Sequence, residues 1–180
     1  MSVTQVAYEI EEWGTGELVV SRGLVVWHDP PWPRVRTSSP PSQTPSHPGL
    51  GHGVSRQASG ERNSFVAEVI ARLGRYFSGE RDALDGVPVD LAYETPFLER
   101  CATALREIPP GEVVTYGELA ALAGAPGAAR AAGSFCARNR LGLFVPCHRV
   151  VAAAGLGSYG STGVEYKRRL LALEGYPGAL

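Results

Sequence analysis

Cysteine is scarce in this chain. The three cysteines among 180 residues, Cys101, Cys136 and Cys147, are odd in number and irregularly spaced. That excludes a disulfide framework and points to a reducing compartment. Long apolar runs are missing too, so no segment reads as a bilayer span. The opening stretch "MSVTQVAYEIEEWG" is acidic and lacks the basic start and apolar block of a signal peptide. We therefore expect a soluble, cytoplasmic protein with no membrane contact. Residues 1–94 contain no cysteine, and His28, His47 and His52 fall in or beside a stretch poor in apolar residues. No metal site and no cofactor is expected there.

Acid is absent from one particular region. The net charge of −1 conceals an asymmetry. Residues 1–94 hold eight arginines against twelve Asp and Glu, and residues 95–180 hold nine Lys and Arg against six acids. Between Ala125 and Val150 there are four arginines, Arg130, Arg138, Arg140 and Arg149, and no acid. Such a zone suits a polyanion, although a solvated basic face has the same composition.

The remaining pattern predicts an α/β protein. Residues 16–27, "GELVVSRGLVVW", read as a β-hairpin around "SRG". Residues 28–63 are rich in Pro, Ser and Gly and predict a flexible insert. Phe65, Val69, Leu73 and Phe77 recur at helical spacing, with Ser64 as N-cap, and "GVPVDL" (86–91) reads as a short extended piece. A second helix starts with Thr95 as N-cap and Pro96 at its first position. It carries Phe97, Cys101 and Leu105 on one face, which makes Cys101 a core residue, and ends at Pro109 and Pro110. Thr115 and Glu118 form a capping box, and Gly124 closes that helix. The small-residue segment "APGAARAAGSFCARN" predicts a helix from Pro126, so the two helices form a helix-turn-helix pattern. A glycine-rich loop (155–163) then leads into an amphipathic helix carrying Tyr166, Leu170 and Leu173. Glu174 falls near that helix's C-terminus, where the macrodipole disfavours a carboxylate, so a tertiary partner is expected. We place an N-terminal α/β domain at 1–90 and a C-terminal domain at 91–180.

The chemistry concentrates in "FVPCHRVV", residues 144–151. A cysteine attacks only as its thiolate, and burial raises its pKa. Adjacent side chains of a strand point to opposite faces. His148 is therefore expected to reach Cys147 through a turn or a bridging water, with Glu174 orienting the imidazole. The alternative is a structural cysteine with a histidine neighbour.

Together, "YGELA", "GAARAAG", "ARN", "VPCHRVV" and "LLALEG" make residues 64–180 resemble the O6-alkylguanine-DNA alkyltransferases. The hairpin resembles that family loosely. The resemblance implies a ribonuclease-H-like N-terminal part and a winged helix-turn-helix-like C-terminal part. It implies stoichiometric, self-inactivating repair of O6-alkylguanine, and of O4-alkylthymine, in duplex DNA by a monomer. Cys147 would accept the alkyl group, His148 and Glu174 would relay the proton, and Asn139 would hold the active turn. Arg130 would enter the duplex beside a flipped nucleotide. Ala128, Ala129, Gly133 and Arg138 would share the DNA face with Tyr116. Tyr116, Val150, Tyr159, Gly160 and Ser161 would line the base pocket, and Arg149 and Cys136 would be structural. The family's usual "PYGE" is "PPGE" here, and its proline-rich continuation after Asn139 is Arg140-Leu141-Gly142. The second change bears on the pocket wall. A non-enzymatic lesion-binding helix-turn-helix protein is the competing reading, and the intact "PCHR" argues against it. A thiol hydrolase would need an oxyanion hole that nothing in the sequence suggests.

Overall fold

The computed structural model describes residues 3–32 and 60–179, with the side chains of 60–63 and 179 excepted. Strands β1 (Val3–Ile10), β2 (Gly14–Ser21) and β3 (Leu24–Trp32) form an antiparallel meander in that order. Arg22 and Gly23, both at positive φ (53° and 74°), make the two-residue turn that joins β2 to β3. This is the turn geometry whose twist matches the strands, and it realises the "SRG" hairpin. β1 was not anticipated. Its signal is the alternation of Val6, Tyr8 and Ile10 with Gln5, Ala7 and Glu9.

The insert expected over 28–63 is shorter at both ends. Residues 28–32 belong to β3, and 60–63 open the helix α1 (Gly60–Phe77). Pro30 and Pro31 are tolerated at the end of β3 because no N–H is required of them there. Residues 33–59, with His47 and His52, lie outside the described residues. Ser64 is not an N-cap but lies inside α1, which begins four residues earlier. Val66, Val69, Leu73, Tyr76 and Phe77 of α1 are buried with Leu18, Val20 and Val25 of the sheet. The "GVPVDL" segment makes a single bridge, Val89 to Val25.

Helix α2 (Pro96–Arg106) starts as predicted, with Thr95 Oγ1 accepting from the Leu98 N–H, and it buries Leu98, Cys101, Ala102 and Leu105. Strand β4 (Val114–Thr115) leads into α3 (Tyr116–Leu122). Both halves of the capping box are formed: Glu118 N–H to Thr115 Oγ1 (3.2 Å) and Thr115 N–H to Glu118 Oε2 (2.6 Å). Helix α4 (Ala129–Ala137) packs on α3 but begins three residues after Pro126. Gly127, at φ 90°, breaks the helical path there, and no side chain caps the start. A one-turn 3-10 helix (Cys147–Arg149), strand β5 (Val150–Val151, parallel to β4) and α5 (Gly163–Leu173) complete the chain, with a final 3-10 turn at Pro177–Ala179.

The outer edge of β3 holds the two halves together. Val25 pairs with Pro88 and Asp90, and the His28 N–H donates to the Arg140 carbonyl (2.8 Å). Every residue from 141 to 150 is buried, and one apolar cluster runs from Tyr8 to Leu170. Among the described residues no helix is long and apolar enough to cross a membrane, and no three His, Cys, Asp or Glu side chains are grouped to hold a metal.

Candidate active site

The "FVPCHRVV" segment is not a strand at its centre. Cys147 N–H donates to Val145 O (2.8 Å) in a γ-turn, and Arg149 N–H to Pro146 O (2.9 Å) with Val150 N–H to Cys147 O closes the single 3-10 turn. Asn139 splints it: Nδ2 donates to Val145 O (2.7 Å), and Oδ1 accepts from the Leu141 N–H (3.0 Å). No hydrogen bond links His148 directly to the Cys147 sulfur.

Beneath the turn lies a buried ionic cluster. Glu174, fully buried at the C-cap of α5, accepts four hydrogen bonds. His148 Nε2 (2.8 Å), Arg149 Nη2 (2.7 Å) and the Tyr76 hydroxyl (2.7 Å) donate to Oε1, and Arg149 Nε (2.9 Å) donates to Oε2. Burial alone would raise this carboxyl's pKa. His148 and Arg149 outweigh it and hold the group well below the usual carboxylate range. The tertiary partner expected for Glu174 is thus three proton-bearing side chains, His148, Arg149 and Tyr76. Arg149 also donates to Ile108 O (2.5 Å) and has the structural role expected of it. Gly111, at φ 83°, allows the chain after the two prolines to pass close over Glu174, since a Cβ there would lie 2.9 Å from the Glu174 carbonyl.

This arrangement fixes the state of His148. Burial lowers its pKa and Glu174 only partly restores it, so the ring is neutral near pH 7. An ionised carboxylate accepts only, so Nε2 carries the proton and Nδ1 holds the free lone pair. Nδ1 is the one buried side-chain polar atom among the described residues without a hydrogen-bond partner. Buried polar atoms are nearly always paired, and an exception calls for a water or a function.

At Cys147, burial pushes the thiol up. Asn139, Lys167 and Tyr159 oppose the shift without cancelling it. Sequence reasoning missed Lys167. This lysine, the only one in the chain, is fully buried, and its ammonium donates to Val150 O (2.6 Å) and Leu156 O (2.5 Å). The available signal was its place on the helix stripe of Leu170, Leu171 and Glu174, at i, i+3, i+4 and i+7.

A cleft of about 930 Å³ opens over the sulfur. Cys147, Asn139, Arg138, Tyr159, Gly160 and Ser161 line it, together with Trp27–Pro30 of β3. Tyr116 and Val150 are not on this wall. The Val150 carbonyl is engaged by Lys167, and Tyr116 packs where Gly133 and Gly157 leave room, 3.8 Å and 3.5 Å from the Cβ each would carry. Gly133 therefore faces Tyr116. Ala128 and Ala129 are half-buried, and Arg130 and Arg138 are exposed on α4. Cys136 is half-buried on the same helix.

One thiol lining a cleft, a neutral histidine oriented by a carboxylate, and a neighbouring pair of short packed helices make this a candidate site for thiol chemistry. Comparison with known proteins narrows this. A family model described as "6-O-methylguanine DNA methyltransferase, DNA binding domain" matches residues 96–176. The methylated-DNA–protein-cysteine methyltransferase of Metallosphaera sedula is 44% identical over 115 residues, 64% of this chain and 70% of that protein. The protein of the same name from Mycolicibacterium paratuberculosis is 44% identical over 121 residues, 67% of this chain and 72% of that one. The crystal structure of Mycobacterium tuberculosis OGT in complex with DNA aligns with a TM-score of 0.72 at 30% identity, covering 97% of this chain and 96% of that chain. The chain belongs to the methylated-DNA–protein-cysteine methyltransferase family.

Proposed function

We propose that this protein repairs DNA by moving an alkyl group from the O6 of guanine, and from the O4 of thymine, onto Cys147. The observation that carries the reading is His148. It is a neutral imidazole, fixed by Glu174 with its unpaired Nδ1 free to accept a proton, one residue from a cysteine that lines a cleft.

The thiol loses its proton to His148 Nδ1 through a bridging water, and the imidazolium is stabilised by Glu174. The Asn139 amide, the Tyr159 hydroxyl and the Lys167 ammonium favour the sulfur anion. The sulfur attacks the alkyl carbon, the carbon–oxygen bond breaks, and the electron pair stays on O6. A proton donated to the base lets guanine leave neutral; we assign this to Tyr116, which would have to turn from its packing against Gly133 and Gly157 into the cleft. The thioether has no comparable leaving group, so each molecule acts once.

A stacked base cannot reach a buried sulfur, so the lesion must leave the duplex. Arg130, exposed at the start of α4, fills its place. The small side chains of Ala128 and Ala129, with Gly133 against Tyr116, let α4 approach the minor groove, and Arg138 meets the backbone. The protein acts as a cytoplasmic monomer. The C-terminal part, 91–180, carries DNA binding in a winged helix-turn-helix arrangement, and the ribonuclease-H-like N-terminal part, 1–90, supports it.

The test is an intact mass after incubation with duplex DNA containing O6-methylguanine. We expect a gain of one methyl group, mapped to Cys147 and missing in Cys147→Ser. Unchanged mass in excess substrate would sink the proposal.

A further inference from the structure

A second network reaches the cysteine turn through Asn139. Arg140 lies at its centre. Its Nε donates to Val26 O (3.1 Å), and its Nη2 donates to Asp90 O (3.0 Å) and Ala92 O (2.9 Å), with the Asp90 carboxylate 3.4 Å away. The guanidinium carbon sits 4.6 Å from the Tyr93 ring centroid. That ring also meets Phe135 of α4 edge-on at 5.4 Å, and its hydroxyl donates to Asn139 Oδ1 (3.3 Å). Arg140 is thus held by β3 and the 90–92 segment, and Tyr93 by Arg140 and by Phe135 of α4; Tyr93 hands that constraint to the side chain that splints the turn.

An asparagine amide can be turned over, exchanging its oxygen for its NH2 group. Here Oδ1 takes two donors, the Leu141 N–H and the Tyr93 hydroxyl. The Leu141 N–H can only donate and the Val145 carbonyl can only accept, so they set which way the amide faces, and the Tyr93 hydroxyl adds a second donor to the same oxygen. In this orientation Nδ2 donates to Val145 O on the cysteine turn, and the Asn139 side chain favours the Cys147 thiolate. In the flipped orientation the NH2 would oppose the Leu141 N–H, and the oxygen would oppose the Val145 carbonyl.

We propose that Tyr93, clamped by Arg140, is a positioning residue that locks the Asn139 amide in the orientation that donates to the cysteine turn and so promotes thiolate formation at Cys147. Its consequence for repair rests on the alkyl-transfer reading. The locked donor itself does not.

The test therefore uses a reaction that needs no DNA. Tyr93→Phe keeps the ring against Arg140 and Phe135 and removes only the hydroxyl. The rate of Cys147 carbamidomethylation by iodoacetamide is followed against pH, with the modified cysteine mapped by peptide mass and the melting temperature recorded in parallel. We expect the midpoint of the profile to move to higher pH and the rate at neutral pH to fall about three- to tenfold, the effect of one hydrogen bond. The melting temperature should change by only a few degrees. Arg140→Met should act in the same direction. If it fails to fold, Tyr93→Phe decides alone. A purely structural role would lower the melting temperature and leave the pH midpoint in place. An unchanged midpoint and rate in folded Tyr93→Phe overturns the proposal. Methyl transfer from O6-methylguanine duplex is measured on the same wild-type protein. Its absence would overturn the alkyl-transfer reading, while the iodoacetamide profile still decides the role of Tyr93.

Discussion

Glu174 carries two duties through one carboxylate. It neutralises Arg149 and it sets the tautomer of His148, both in a space sealed from water. A buried pair is weak evidence of net stability, but removing one partner leaves the other charge stranded. Glu174→Gln keeps the shape and strands Arg149. We expect a loss of about 3 kcal/mol or more in denaturant unfolding and slower alkylation of Cys147. A stable variant with unchanged alkylation would remove Glu174 from the mechanism. The pH dependence has a definite sign. The folded-state carboxyl titrates below its unfolded value, so the stability it contributes is complete above the ordinary Glu range and is lost as pH falls below it. At this scale the sequence was readable where a residue violated its local preference. Glu174 at a helix C-terminus signalled a partner. Lys167 and Tyr93 gave weaker signals, because a lysine stem passes for a surface residue and a tyrosine for ordinary packing.

Among the elements, α2 and α3 are the most legible. Side-chain caps write their positions into the sequence, so Thr95 and the Thr115–Glu118 box marked two helix starts. Where no cap exists the start was misjudged. α4 opens after Gly127 and not at Pro126, and α1 opens before Ser64. α4 leaves Arg130 and Arg138 exposed while Ala132 and Phe135 bury its inner face. That division yields a prediction on the proposed flip. Arg130→Ala should slow methyl transfer from duplex DNA by about tenfold or more, because unstacking a base costs a few kcal/mol, and should scarcely change reaction with free O6-benzylguanine. Equal slowing on both substrates would count against a role in base extrusion.

For the whole molecule, the decisive contact is between β3 and the segment leading into the cysteine turn. His28 is buried between them. The Gly142 carbonyl only accepts, so Nδ1 donates to it (2.5 Å), and the Tyr8 hydroxyl donates to Nε2 (2.5 Å). Burial pushes the His28 pKa down to about 4 against the carbonyl's pull. In the unfolded chain the same ring titrates near 6.5. Between those values the unfolded state binds more protons, so stability is full above the upper value and declines as pH falls to the lower one, by about 3 kcal/mol for this residue. His148 is shifted in the same direction and adds to the slope. The urea midpoint should therefore drop between pH 7 and pH 4.5, and His28→Gln should flatten that drop to the share left by His148. Equal drops in both proteins would show that His28 does not couple the sheet to the turn.

What the sequence alone determined was local or motif-borne. The hairpin turn needs residues that tolerate positive φ, helix starts need particular caps, and Cys147 stood out because it sits beside His148 between apolar runs. Family resemblance carried the site's roles from there. The tertiary structure decided what depends on partners distant in the chain. It placed Lys167 under the loop and closed β3's edge with residues 88–90 and 140. It bent the cysteine segment into one turn instead of a strand and left Nδ1 of His148 unpaired above Glu174. Lys167 under the loop, the closed edge of β3 and the Glu174 that orients His148 are contacts between residues far apart in the chain. Burial, charge and hydrogen-bond supply at such contacts are set by the neighbour, which no local pattern records.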